Sequence, residues 1–281
     1  MLIDTHCHLD ASEFNPDRSD VIARAAQAGV GAIVIPSVAR SNFDAVRALA
    51  HSFEGGTYAL GIHPMAVPQA DDSDLDVLAA QIEQSMDDPR FVAIGEIGLD
   101  YFVVELCTPP MRERQEHFYR AQLDLAQRHG LPVLLHVRRS QDVLLKHLRR
   151  RPPIGGIAHA FNGSFQQAEQ FIDLGFALGL GGAMTFERAL QIRRLAAQLP
   201  MSALVLETDA PDIPPAWLGR DGRDDPLARR NEPAEVAGIA CELAALRAMP
   251  PEAIAQQCAA NAGRVLPRLL RSLPGLADIR P

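Results

Sequence analysis

The sequence predicts an α/β fold, a TIM (β/α)8 barrel, in one domain spanning residues 1–281. Three observations predict it. Short apolar runs rich in β-branched residues alternate with longer amphipathic segments from end to end, as right-handed βαβ units require. The ionisable and metal-ligating side chains gather at the carboxyl ends of those runs, where barrel enzymes keep their active sites. A chain of 281 residues with 47% hydrophobic content is long for an ordinary domain and normal for this barrel.

Taken in order, the run Leu2–Leu9 precedes a helical pattern at Asp17–Ala28, and Gly31–Val38 precedes Asn42–His51. Thr57–Pro64 leads to Leu75–Met86, Phe91–Asp100 to Arg112–His129, and Pro132–Arg138 to Gln141–Arg150. Gly155–Gly163 leads to Phe165–Leu174 and Phe176–Thr185 to Arg188–Gln198. The eighth run, Ala203–Pro211, opens into a Pro/Gly/Arg-rich segment, Asp212–Asn231, before helices near Pro233–Arg247 and Pro251–Ala262. A connection of that length is usually functional or disordered, and this one, with Arg220, Arg223, Arg229 and Arg230, is expected to border a substrate groove. An open doubly wound sheet would share the alternation. Strands lie about 4.8 Å apart, so polar groups from the first, fourth, fifth, sixth and eighth strands converge only if the sheet closes.

Composition narrows the classes of function. With 27 basic against 35 acidic residues the net charge is −8, which excludes a broad electrostatic footprint on nucleic acid and requires any polyanion to be held locally. The basic residues are nearly all arginine, Lys146 being the sole lysine. The four cysteines, Cys7, Cys107, Cys241 and Cys258, form no C-x-x-C pair; they read as packing residues in a reducing compartment. Neither a signal peptide nor an apolar membrane span is visible, so a cytoplasmic location without membrane or obligate protein partner is expected.

The stretch "IDTHCHLD", Ile3–Asp10, places two histidines one residue apart. Side chains two apart on a strand point the same way, so His6 and His8 present their imidazoles to one point while Cys7 faces the other side. His63 ends the third run, Glu96 and Asp100 the fourth, His136 and Arg138 the fifth, His159 the sixth, and Glu207 and Asp209 the eighth. The imidazoles of His6, His8, His136 and His159 with the carboxylates of Glu96 and Asp209 suit zinc, manganese, nickel, iron or cobalt, with magnesium also open. These donors are too many for one tetrahedral ion with an open position. They suit two divalent metal ions that share a hydroxide nucleophile, with Glu96 between them. Lys146, which could bridge as a carbamate, falls in a helix and not at a strand end.

The chain resembles the TatD-related deoxyribonucleases, a branch of the amidohydrolase-like metal-dependent hydrolases. The resemblance is carried by "DTHCH" at Asp4–His8, "GIHP" at Gly61–Pro64, "GEIGLDY" at Gly95–Tyr101, "LHVR" at Leu135–Arg138, "HAFNGS" at His159–Ser164, "ETDAP" at Glu207–Pro211 and "RNEP" at Arg230–Pro233. They occur in family order, with wording nearest the YjjV subgroup. The resemblance implies a TIM barrel, a two-metal site and hydrolysis of phosphodiester bonds. It places His6, His8, Glu96, His136, His159 and Asp209 at metal-ligand positions and His63 at a phosphate-binding one.

Other residues are weighed individually. Arg138 shares the inward direction of His136 and can clamp a phosphate oxygen, whereas Arg139 points away as a surface charge. Asp100 either joins the site or caps the following loop, and Glu207, beside Asp209, must meet a metal, an arginine or a histidine and is read as support for the site. Phe161 and Tyr101 are read as packing residues before stacking platforms. His51, His117, His129 and His147 sit on helical segments as solvent-side or packing residues. The expected activity is a metal-dependent 3′–5′ exonuclease on single-stranded DNA or RNA, or on a small phosphodiester. In it Asp209 moves the proton and Glu96 bridges as catalytic residues, while His63 and Arg138 bind substrate. The alternatives are a metal-dependent deacylase, lactonase or amidase, since the same hydroxide attacks carbonyl carbon, and a non-catalytic metal- or nucleic-acid-binding protein.

Overall fold

The computed structural model describes residues 1–218 and 230–272. Its strands are β1 (Leu2–Asp4), β2 (Val30–Pro36), β3 (Gly56–Leu60), β4 (Phe91–Asp100), β5 (Val133–Arg138), β6 (Gly156–Ala158), β7 (Phe176–Leu180) and β8 (Leu204–Leu206). They form one 8-stranded parallel sheet in sequence order. Across the seam Thr5 N donates to Leu206 O at 3.1 Å, Asp209 N to His6 O at 2.9 Å and His8 N to Ala210 O at 2.8 Å. These bonds join the segments that leave β1 to the end of β8 and the segment beyond it, and bring the predicted barrel to near closure.

Between the strands run α1 (Arg18–Gln27), α2 (Phe43–His51), α3 (Asp72–Ser85), α4 (Pro109–His129), α5 (Gln141–Leu148), α6 (Phe165–Asp173) and α7 (Leu190–Gln198). A 3-10 turn, Pro233–Glu235, precedes α8 (Val236–Arg247), followed by α9 (Pro251–Val265) and α10 (Leu269–Ser272). Two helices begin a turn earlier than their apolar periodicity indicates, because their first turns are set by capping and not by burial. Asp71 accepts from Ser73 N at 2.9 Å ahead of α3 while its own N–H donates to Asp74. Pro109 and Pro110 open α4, where an N–H would have no partner. No helix among the described residues is long and apolar enough to cross a membrane.

Alternation along the strands builds two apolar layers. Ile33 and Ile35 face the helices, whereas Ala32 and Val34 face the barrel axis with Ile3, Ala59, Val92 and Val205. The inner side chains are small because eight strands enclose little room. The amino end of this inner core is covered by Ala259, Ala262 and Val265 of α9 and by Leu266 and Leu269. Packing accounts for two of the cysteines: Cys7 and Cys258 are buried, whereas Cys107 is half-buried and Cys241 exposed. Cys241 lies off the buried stripe of α8, which runs through Val236, Ile239, Ala240, Leu243 and Ala244.

Candidate metal centre

Six of the strands end earlier than the sequence suggests. β1 stops at Asp4, β2 at Pro36, β3 at Leu60, β6 at Ala158, β7 at Leu180 and β8 at Leu206, so His6, His8, His63, His159, Glu207 and Asp209 stand in the segments just beyond. There the ladder gives way to the seam bonds and to side-chain fastenings. Buried Asp4 accepts from Thr208 N at 2.9 Å and Thr208 Oγ1 at 2.6 Å, tying the segment of His6 and His8 to that of Asp209. His6 and His8 still face one point, and buried Cys7 faces away, its Sγ 3.6 Å from Ala210 O.

Glu96 is aimed by an irregularity in β4. Ile94 pairs with Val133 but Ile97 with Leu135, so Gly95 and Glu96 together stand opposite Leu134. Such a bulge bends the strand and redirects a side chain. Gly95 is required because a Cβ there would lie 2.6 Å from Leu134 Cβ; Gly98, at φ +148°, would place one 2.2 Å from His136 O.

The site gathers five histidines and two carboxylates into three overlapping groups, each within ligand range: His6, His8 and Asp209; His6, Glu96 and His159; and His63, Glu96 and His136. Glu96 divides them. Its Oε2 lies 3.0 Å from His6 Nε2 and 3.4 Å from His8 Nε2, and Asp209 Oδ1 lies 3.8 and 3.7 Å from the same two nitrogens. His159 belongs to this side, its ring stacked on His6 at 3.7 Å between centroids and its Nε2 3.4 Å from Asp209 Oδ1. On the other side Glu96 Oε1 is 2.9 Å from His136 Nδ1 and 3.4 Å from His63 Nε2.

These separations fit divalent metal. Donors about 2.0–2.2 Å from a tetrahedral ion stand roughly 3.4 Å from one another, within the 3.0–3.8 Å spread found around Glu96 Oε2 and Asp209. The ring orientations agree. His136 Nε2 is 3.0 Å from Asp100 Oδ2 and His159 Nδ1 is 3.0 Å from Glu207 Oε1, the carboxylate support that holds a ligating imidazole with its other nitrogen toward an ion. His63 differs. Its Nδ1 accepts from Met65 N at 3.1 Å, so the neutral ring carries its proton on Nε2 and faces the cluster as a donor, not a ligand.

Burial works against charge on every member, and the opposite charges contest it. Burial pushes Asp209 up, but His159, His6 and His8 outweigh it and hold the carboxyl at about 2. Glu96 likewise lies well below its ordinary range, burial being outweighed by His63 and His6. Burial of His8 is overcome by Glu96 and Asp209, which raise it to about 9. His6 is lowered by burial and by His159, and burial takes His63 to about 4 against the pull of Glu96. Both carboxylates are therefore ionised and His63 is neutral near pH 7.

The cluster lies in a groove of about 1440 Å³ that also contains Arg138. Arg139, expected to point away, lines the groove as well, because its left-handed φ of 56° turns the side chain back. Asp100 both meets His136 and caps the following turn, accepting from Phe102 N at 2.8 Å and Val103 N at 2.9 Å. Phe161 is fully buried against Phe171, and Tyr101 carries Arg112 on its ring, so both are packing residues. The aromatic open to the groove is Phe102, which sequence reasoning missed along with Asp4 and Thr208. Arg220, Arg223 and Arg229 lie outside the described residues. Arg230 is not in the groove lining: it holds Asp17 at 2.9 Å and stacks on Phe14. His51, His117 and His147 pair with Asp88, Asp72 and Glu116, away from the cluster.

Comparison with known proteins follows the same line. The sequence pattern of the TatD related DNase family matches residues 3–267. The chain is 43% identical over 256 residues to the Escherichia coli (strain K12) protein named "Uncharacterized metal-dependent hydrolase YjjV", covering 90% of this chain and 93% of that protein. It is 33% identical over 268 residues to the Erwinia billingiae "3'-5' ssDNA/RNA exonuclease TatD", covering 94% of this chain and 98% of the relative. The crystal structure of E. coli YjjV superposes with a TM-score of 0.84 at 40% identity, over 95% of this chain and 98% of that one.

Proposed function

Because the chain belongs to the TatD related DNase family, we propose that it is a metal-dependent hydrolase that degrades single-stranded DNA or RNA from the 3′ end. In this reading two divalent cations are held by His6, His8, His159 and Asp209 on one side and His136 on the other, with Glu96 between them. The observation that carries it is Glu96, each of whose oxygens faces a different imidazole set, at 3.0 Å from His6 Nε2 and 2.9 Å from His136 Nδ1. Cations bound there supply Lewis acidity and lower the pKa of an attacking water.

The protein's own groups supply the rest. Asp209 is first a ligand, since a carboxyl held at about 2 is a weak base, and second the acceptor of the proton leaving the attacking water. His63 offers its Nε2–H to a non-bridging phosphate oxygen, and Arg138 adds a fixed positive charge for the substrate backbone. Asp100 and Glu207 keep His136 and His159 turned inward.

A second reading, hydrolysis of an ester, lactone or amide, draws on the net charge of −8 and on Asp10, Glu13 and Asp212 along one wall of the groove. The test is to incubate metal-loaded protein with 5′-labelled single-stranded DNA and RNA and, separately, with a panel of esters, lactones and N-acyl amino acids. A ladder shortening from the 3′ end is the expected result. Turnover of the panel with intact nucleic acid would overturn the nuclease reading.

A further inference from the structure

The mouth of the groove carries opposite charge on its two sides. In a ring of strands in sequence order, β4 and β5 stand across from the β8–β1 seam. Asp10, Glu13 and Asp212, in the turns after β1 and β8, line the seam side; Phe102, Arg138 and Arg139, at the ends of β4 and β5, line the other.

On that second side two cations share one ring. Phe102 is 45% exposed, and its centroid lies 4.0 Å from Arg138 Cζ and 4.6 Å from Arg139 Cζ. Neighbouring residues of a strand point to opposite faces. Arg139 escapes that rule through its left-handed backbone, φ 56°, a conformation uncommon outside glycine. Both guanidinium groups are thus held by the same ring. Among the described residues neither donates a hydrogen bond, and the acidic group in ion-pair range is Asp100, 3.8 Å from Arg138 Nη1 and already engaged with His136. Two cations on one exposed ring, without hydrogen-bond acceptors among the described residues and beside the proposed metal cluster, are arranged for an anion that comes and goes.

We propose that Phe102 is a positioning residue that holds Arg138 and Arg139 as a two-guanidinium clamp for a second phosphate of the substrate, next to the one being cleaved. The proposal rests on the phosphodiesterase reading above and assigns a direction to it. The bound strand runs from the metal cluster toward the β4–β5 side and away from the acidic seam. The ring's π-system attracts both guanidiniums, leaving their N–H forks available to phosphate oxygens. A substrate with one phosphate leaves the clamp unused.

The test compares bis(4-nitrophenyl) phosphate, which has one phosphate, with a short oligothymidylate, for wild type and for Phe102→Leu, Phe102→Tyr and Arg139→Gln. Phe102→Leu is expected to raise KM for the oligonucleotide about tenfold more than for the small diester, the worth of roughly one charge-assisted hydrogen bond. Phe102→Tyr, which restores a ring face, should recover most of it. Arg139→Gln should reduce the slope of log affinity against log salt by about 0.7, one phosphate contact on a single strand. Equal KM changes on both substrates, or no difference between Leu and Tyr at position 102, would overturn the clamp. Fluorescence anisotropy of labelled oligothymidylate in EDTA separates the two claims. If wild type cleaves neither diester, the phosphodiesterase reading fails, and the clamp then stands or falls on whether Phe102→Leu weakens that binding and Phe102→Tyr does not.

Discussion

The two ends of the barrel treat buried polarity in opposite ways. At the amino end three polar side chains reach under the barrel to hold backbone carbonyls. Arg268 donates to the carbonyls of Phe91, Met86 and Asp88 at 2.6–3.0 Å, and Arg90 to those of Ala50, Phe53 and Gly56. Asn261 ties the carbonyls of Met201 and Leu204 to α9. At the carboxyl end five imidazoles crowd two carboxylates, and His6 Nδ1 and His8 Nδ1, both buried, find no hydrogen-bond partner among the described residues. A fold selected for stability alone would not gather like groups in its interior. The amino end holds the barrel together, and the carboxyl end is organised for charge that arrives with cations and substrate.

The largest effect that would break this contrast is at Glu96. Replacing it with Ala removes both oxygens between the two imidazole sets, so at least one metal ion per chain should be lost and nuclease activity should fall below detection. The thermal melt should stay close to wild type, since the residue fastens no helix to the barrel. Elemental analysis of the purified variant decides it: retention of two ions per chain would show that Glu96 is not the bridge. EDTA treatment of wild type should abolish activity in the same way, and added divalent metal should restore it.

A smaller loss is expected at Asp209, where ligation and proton transfer are separable. Asp209→Asn keeps the shape and one oxygen but not the charge. General acid–base contributions are about 10²- to 10⁴-fold, so turnover should drop by that much, with any further loss accompanied by lower metal content. Near-normal turnover at full metal occupancy would remove Asp209 from proton transfer.

Most of the cluster is legible in the sequence because its signals are local. His6 and His8 are spaced for one face, and the remaining members of the cluster mark the ends of apolar runs whose period of two is itself local. What escapes is set by contacts between distant segments. Thr208 fastens Asp4 from 204 positions away, and no spacing rule announces it. The bulge at Gly95–Glu96 exists because β4 must pass Leu134. Arg139 departs from the strand alternation because its own left-handed backbone cancels the rule that gives side-chain direction, and Phe102 lies past the end of β4, where that rule no longer applies. The lengths of the strands were overestimated because the polar residues that follow them continue the pattern after the ladder has stopped.

At the amino end the expected cost is in stability and not in chemistry. Arg268→Ala would leave the carbonyls of Phe91, Met86 and Asp88 without their shared donor, at about 2–3 kcal/mol for buried acceptors. In a protein of this size that corresponds to a melting temperature lower by roughly 5–10 °C. The Michaelis parameters at 25 °C should be those of wild type. A variant that melts normally but turns over slowly would erase the division between the two ends.

The smallest effect concerns the boundary of the active face, where Asp17 joins Arg24 of α1 to Arg230 beyond β8. Asp17 Oδ1 and Oδ2 accept from Arg230 at 2.9 Å, and Oδ2 from Arg24 at 3.1 Å. The hydrogen bonds from Arg230 lead in drawing its carboxyl from 3.8 down to about 2. The folded-state pKa lies below the unfolded one, so the stabilisation is fully present above about pH 4 and is lost as pH falls toward 2. The pair is part-buried, Arg230 being 7% and Asp17 25% exposed, so water screens it only in part and its worth is about 1–2 kcal/mol. Asp17→Asn should therefore lower stability slightly at pH 7, and the difference from wild type should shrink as pH falls through that window. Urea melts at a series of pH values measure it. A difference that persists unchanged to the acid end would mean that Asp17 acts through packing around Phe14 and Arg230 and not through its charge.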